Sequence, residues 1–151
     1  MRLVKTHSKE LDEWIKEHHY LKSARVVAKL RLWIIDDDGK IIGAMMWGQP
    51  TARVLDKESL LELTRMCFID DTEPFVESRS LAMARKMIRK YMPKIKGLIA
   101  YSSTGQGHSG IVYQADNWFE FGRTKGESWK RKNRKREDKD ISPKIRWLRS
   151  P

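Results

Sequence analysis

The chain has 151 residues, with 31 Lys and Arg against 20 Asp and Glu, a net charge of +11. Its size suits one domain with a real core, its single cysteine, Cys67, excludes an internal disulfide, and no apolar run reaches the roughly 20 residues of a membrane-spanning helix. The positive surplus makes a polyanion the expected partner, nucleic acid ahead of a membrane surface.

The first residues, MRLVKTHSKELDEW, lack the apolar centre of a secretory signal, and one cysteine fits a reducing compartment. Ser8 can cap a helix whose first turn carries Glu10 and Asp12. Leu11, Trp14, Ile15 and His18 recur at i, i+3, i+4 and i+7, which predicts one buried face. That helix runs into His18-His19-Tyr20. One reading packs His18 in the core and leaves the other two to cap the helix end. The alternative uses imidazole and phenol as acid, base or metal ligands.

Ala28 to Asp36 alternates, with Leu30, Leu32 and Ile34 on one face. Asp38-Gly39 marks a tight turn, and Lys40 to Trp47 returns as the second strand of a hairpin. Leu60 to Ile69 is a further strand whose alternation breaks, which predicts a bulge near Arg65. Arg65 is a charge among Leu61, Leu63, Met66 and Phe68, so it needs an ion-pair partner or an anionic ligand. Cys67, in the same run, is expected as inert core. After Asp70 to Pro74, Ser78 or Ser80 caps a helix to about Met92, with Leu81, Ala84, Ile88 and Tyr91 inward and Arg79, Lys86, Arg89 and Lys90 outward. The N-terminus of this helix is a second anion-attracting element.

Leu98 to Tyr101 is a buried strand that ends in Ser102-Ser103-Thr104. Polar residues just past such a strand are held rigidly where ligands usually sit. Ser103, His108 and Tyr113 are therefore the first site candidates. Gly105 to Gly110 matches G-x-G-x-x-G, but the helix that follows is too short for a dinucleotide fingerprint and basic residues crowd the place of its acidic one. Those glycines instead let the backbone turn sharply beside a ligand. A short helix through Gln114 and a strand from Trp118 to Arg123 follow. Lys130 to Arg136 has six basic residues in seven, flanked by Trp129 and Trp147. This is either a solvated helix or tail, or a phosphate-contacting arm whose tryptophans stack on bases. Ile145 to Leu148 predicts a last, edge strand. No HExxH, paired CxxC or P-loop is present. The order of elements predicts an α/β (α+β) fold, a mixed sheet with helices on both faces and a strand–helix–strand crossover in the middle.

Three stretches together carry a likeness: ELTRMCF from Glu62, ESRSL from Glu77, and GHSGIVYQADNWFEFG from Gly107. Over roughly Trp14 to Thr124 the chain resembles the phage Mom family of DNA modification proteins, which are similar in fold to GNAT-type acyltransferases. The resemblance implies an enzyme that converts adenine in DNA to an N6-methylcarbamoyl form and protects phage DNA from restriction. It also implies double-stranded DNA and an acyl-CoA or acetyl-CoA derivative as partners, no membrane, and the cytoplasm of a bacterial host. Arg65 and Ser78 match residues that hold the cofactor. Tyr113 matches a tyrosine implicated in activity, and His19-Tyr20 resembles the family's His-Tyr pair near the end of the first helix. Iron is implicated in the family, with His19 and Tyr20 as its ligands here. Where the pattern expects an acidic ligand this chain has Ser103, with Asp116 as the substitute donor.

The expectation is a GNAT-like catalytic domain over 1–124 and a basic segment over 125–151 packed on it or extending it. Tyr113, His19, Tyr20, Ser103 and His108 form the catalytic set. Trp129, Lys130, Arg131, Lys132, Arg134, Lys135 and Arg136 grip DNA. A homodimer, an N-acetyltransferase acting on a protein, RNA or small amine, and a non-catalytic DNA-binding relative stand as alternatives.

Overall fold

Leu30, Leu32 and Ile34 alternate with Arg31, Trp33 and Ile35, and the backbone follows that period as a strand with alternating burial. The computed structural model of the chain describes residues 1–19, 27–103, 110–124 and 143–151. Its elements are β1 (Arg2–Thr6), α1 (Glu10–His18), β2 (Leu30–Ile35), β3 (Ile41–Gly48), β4 (Leu60–Phe68), α2 (Val76–Tyr91), β5 (Gly97–Ser103), α3 (Ile111–Ala115), β6 (Phe119–Thr124) and β7 (Lys144–Arg149). One seven-stranded sheet runs in the order β1-β2-β3-β4-β5-β7-β6. Among the described residues only β4 and β5 pair in parallel, joined through α2. The expected hairpin is β2–β3, closed where Asp36 Oδ1 accepts the N–H groups of Asp38 and Lys40 and Gly39 takes a φ of +83°.

The sheet is covered unequally. On one face Val76, Leu81, Ala84 and Ile88 of α2 bury against Leu32, Met45, Leu61, Leu98 and Trp147. On the other, Leu11 and Ile15 of α1 pack on Ala44, Met46 and Cys67. Asp12 ties α1 to β2 by accepting two hydrogen bonds from Arg31, at 2.8 and 3.1 Å. Helices on both faces of a mixed sheet are the architecture expected. Among the described residues no helix is long and apolar enough to cross a membrane.

Several expectations are corrected. His18 is exposed, stacked on Trp14 at 3.9 Å with Nδ1 2.8 Å from the Trp14 carbonyl oxygen. The helix ends there, and His19, leaving with extended backbone, is buried. Neither serine caps α2, because the helix starts after Phe75, held in the left-handed region at φ +65°. Ser78 Oγ instead donates to the Phe75 carbonyl and Ser80 Oγ to that of Val76. Tyr91 is exposed in the last turn, under Lys90. β1 was not anticipated, since its burial follows no period of two. β7 is an inner strand, between β5 and β6. Its alternation reports a half-buried strand, but lateral position is set by pairing, which periodicity does not record.

Candidate active site

The parallel ladder between β4 and β5 holds only at Leu60–Gly97, Leu61–Leu98 and Glu62–Ile99. Beyond it the strands part: β4 continues on β3 as far as Phe68, and β5 on β7 as far as Ser103. An opening in mid-sheet follows, with Leu63–Phe68 on one side and Ala100–Ser103 on the other. The two strands flanking it carry the candidates Arg65 and Ser103.

A bulge decides where Arg65 points. Met46 pairs with Arg65 and Trp47 with Leu63, which leaves Thr64 as the extra residue, its Oγ1 donating to the Met46 carbonyl at 3.0 Å. Strict alternation from Leu61 and Leu63 would drive Arg65 into the core. The extra residue resets the phase, so Arg65 and Cys67 share the α1 face with Met46 and Ala44, while Met66 and Phe68 stay on the core side. The bulge expected near Arg65 is therefore what keeps that guanidinium out of the apolar cluster. Arg65 Nη1 donates to the Thr64 carbonyl at 2.6 Å. The expected burial of Cys67 is also found.

Ser103 lies on the α1 face as well, in one row with Tyr101 of the same strand, and it is buried. Beside them stand groups that the sequence reading did not single out. Arg146 pairs with Tyr101 across β7–β5, its guanidinium carbon 5.6 Å from the phenol ring centroid. Burial pushes the Tyr101 phenol up from its ordinary value, the Arg146 charge pulls it back, and the Glu62 carboxylate pushes it further up. Glu62 is itself buried and accepts from Thr51 N and Oγ1, at 3.1 and 3.0 Å. Alternate positions on neighbouring strands bring these residues together, a relation visible only once strand order is known.

Tyr113 is on the opposite face. It sits on α3, stacked on Trp147 at 5.9 Å and edge-on to Trp118 at 5.4 Å. Trp147 is buried and donates Nε1–H to Ser102 Oγ at 2.9 Å, so it is core and not a base-stacking tryptophan. Asp116 accepts both nitrogens of Arg85, each at 2.8 Å, and Nε1–H of Trp118 at 2.8 Å. That carboxylate fixes α3 against α2 and is not a spare metal donor. Arg65 and the start of α2, both expected to attract an anion, lie on opposite faces of the sheet. Tyr20, His108, Trp129, Lys130, Arg131, Lys132, Arg134, Lys135 and Arg136 lie outside the described residues.

An iron site needs several histidine, thiolate or carboxylate donors converging. Among the described residues no three such side chains gather. Position 103 offers a hydroxyl, Asp116 is committed to Arg85, and His19 brings one ring. The described donors do not fit an iron centre.

The match to the Mom protein family spans residues 1–149. The chain belongs to the Mom family. A curated relative, the methylcarbamoylase Mom of Escherichia phage Mu, is 34% identical over 86 residues, covering 52% of this Mom-family chain and 36% of the relative. The match thus spans about a third of that relative's length. Among solved structures, the spermidine/spermine N-acetyltransferase SpeG from Vibrio cholerae superposes with a TM-score of 0.66 at 10% identity, over 99% of this chain and 93% of that one. The aminoglycoside acetyltransferase AAC(6')-Ib, in complex with coenzyme A and kanamycin, gives 0.59 at 7% identity, over 80% and 66%. The fold is that of the GNAT acetyltransferases, as expected.

Proposed function

We propose that this chain is a DNA-modifying acyltransferase that places a methylcarbamoyl-like group on N6 of adenine and so shields phage DNA from restriction inside the bacterial host. The observation that carries the reading is the parting of β4 from β5 in a Mom-family chain with an acetyltransferase fold. Two strand edges facing an opening can hydrogen-bond an extended, amide-bearing chain laid between them. An acyl-CoA-type donor has such an arm. The first turn of α2, next in sequence after β4, has no side-chain cap and suits the donor's phosphates. The Ser78 hydroxyl in that turn and the Arg65 guanidinium are the proposed cofactor-binding groups. When bound, a donor already carrying the methylcarbamoyl-like group on its thiol would supply a carbonyl open to attack by an amine, with the thiol as the leaving group.

The adenine N6 lone pair is delocalised into the ring, so the site has to take a proton from N6 and return one on the leaving side. Tyr113 is assigned one of these transfers. Its ring is clamped by Trp147 and Trp118, which holds Oη in one place. His19, with Tyr20 and His108, supplies the complementary base, and the Ser103 hydroxyl orients the acceptor. In a duplex N6 is paired and stacked, so the target base is turned out of the helix. Trp129 and the Lys130–Arg136 run hold the backbone. Thr124 and Lys144, which precede and follow that run in sequence, pair with each other across β6 and β7.

Nucleoside mass spectrometry of plasmid DNA from cells expressing the chain tests this. A modified deoxyadenosine is expected, and Tyr113→Phe should lower its yield by about 10²-fold or more, the usual worth of a positioned acid or base, while the protein stays soluble. Unmodified DNA beside soluble, unsubstituted protein would overturn the reading.

A further inference from the structure

The face of the sheet that carries α1 continues past β4 onto β5, β7 and β6, and there it has a composition of its own. Pairing sets out three rows: Ile99–Leu148–Phe119, Tyr101–Arg146–Gly122 and Ser103–Lys144–Thr124. Phe119 is 68% exposed, and Phe121, at the irregularity between Glu120 and Gly122, is 48% exposed. The Arg146 guanidinium carbon lies 5.6 Å from the Tyr101 ring centroid and 5.8 Å from that of Phe121, and its Nε, shielded from water, has no hydrogen-bond partner among the described residues.

Charge selects the occupant. Among the described residues of these rows there are two cations, Arg146 and Lys144, and no carboxylate. Glu120 pairs with Trp147 and so belongs to the opposite face, where Arg123 engages it. Glu62, adjacent on β4, is buried and hydrogen-bonded by Thr51. Exposed phenyl rings alone would suit any apolar partner. Rings interleaved with cations, without acids, suit a strand of nucleotides, whose bases stack on aromatic and guanidinium planes while its phosphates meet the charges. The rows also run from the outer edge of the sheet to Ser103, beside the opening between β4 and β5.

We propose that this face is a stacking platform for DNA. Phe119 and Phe121 carry bases next to the target adenine, Arg146 and Lys144 take the neighbouring phosphates, and the strand is led towards Ser103. The inference rests on the DNA-modification reading and adds the surface on which the opened strand lies.

Fluorescence anisotropy with a labelled 12-nucleotide single strand, using the full chain, tests it. Phe119→Ala/Phe121→Ala should weaken binding by about 10²-fold, as for two lost base stacks, with the salt dependence unchanged because no phosphate contact is removed. Phe119→Leu/Phe121→Leu, which keeps apolar area without a π face, should not restore affinity. Lys144→Gln should instead lower the salt slope by about 0.7, as for one single-strand phosphate contact. Circular dichroism of each variant checks the fold. Affinity within twofold of the unsubstituted chain for the alanine pair, or full affinity for the leucine pair, would overturn the platform. A dimer that the alanine pair converts to monomer with DNA affinity unchanged would reassign the face to contact between copies. Modified DNA from the unsubstituted chain with no effect of the phenylalanines overturns this inference alone. Neither modification nor binding by the unsubstituted chain overturns the functional reading with it.

Discussion

At Gly110 the backbone has a φ of +79°, and a Cβ built there would lie 2.3 Å from Cζ2 of Trp147. Both conditions call for glycine: the left-handed conformation and the close approach of the indole. Gly110→Ala should destabilise the chain by about 2–4 kcal/mol, strain added to overpacking, read as a lower urea midpoint. Tyr101 predicts a pH effect. Its phenol is raised in the fold mainly by burial, from an ordinary value of 10.0. Below that pH folded and unfolded chains both hold the proton and stability is unaffected. Above it the unfolded chain loses the proton first, so stability falls as pH rises. Tyr101→Phe should flatten that alkaline limb in urea titrations run from pH 8 upward, a range chosen as about two units below the ordinary tyrosine value. Gly110 stands out in the sequence as the last of three closely spaced glycines, although the indole that demands it is distant in the chain. Tyr101 was hidden, because a tyrosine ending an apolar run reads as core until Arg146 and Glu62 are placed beside it.

The bulge in β4 makes one residue responsible for the facing of half a strand. Deleting Thr64 should remove the bulge and leave Arg65 and Cys67 on the α1 face and Met66 and Phe68 on the core side, since Leu63 and Arg65 then become alternating neighbours. Soluble yield and far-UV circular dichroism should both stay near those of the parent, because no charge is moved among the apolar residues. Thr64→Ala keeps the residue count and removes only the hydrogen bond to the Met46 carbonyl. It should cost about 1 kcal/mol and leave the fold intact. A deletion variant that loses its fold would refute this account of Arg65. The alternation breaks visibly around Arg65 in the sequence, so the bulge was legible. The facing it produces was not, because the faces are defined only by which helix covers which side. For the same reason the sequence pointed to a serine start for α2 while the helix begins earlier, at a strained Phe75 that no propensity favours.

Across the whole molecule the surplus of +11 predicts binding governed by phosphate neutralisation. If six or more phosphates are engaged, affinity for duplex DNA should drop by about 10³-fold or more between 50 and 200 mM salt. Replacing Lys130, Arg131, Lys132 and Arg134 by glutamine should flatten that slope while thermal melting is unchanged. An unaltered slope would remove the run from the interface. The element order and the mixed sheet were legible because strand and helix periods differ and Asp-Gly and Pro mark the ends. The candidate site residues were legible one by one, as Arg65, Ser103 and Tyr113 each break the apolar texture around them. Which face each of them takes was not, because that depends on β4 parting from β5 and on β7 entering between β5 and β6.

That entry has a consequence for how the chain is made. β5 and β6 meet through β7 alone, and Leu98 pairs with Arg149, Phe119 with Leu148. At roughly 5–20 residues per second, a ribosome needs seconds to pass from β5 to β7. Throughout that interval β5 lacks its antiparallel neighbour, β6 has no strand to join, and the row that holds Ser103 is unfinished. A ribosome stalled before Lys144 therefore carries a nascent chain with open strand edges and no completed site, a form suited to capture by chaperones and proteases.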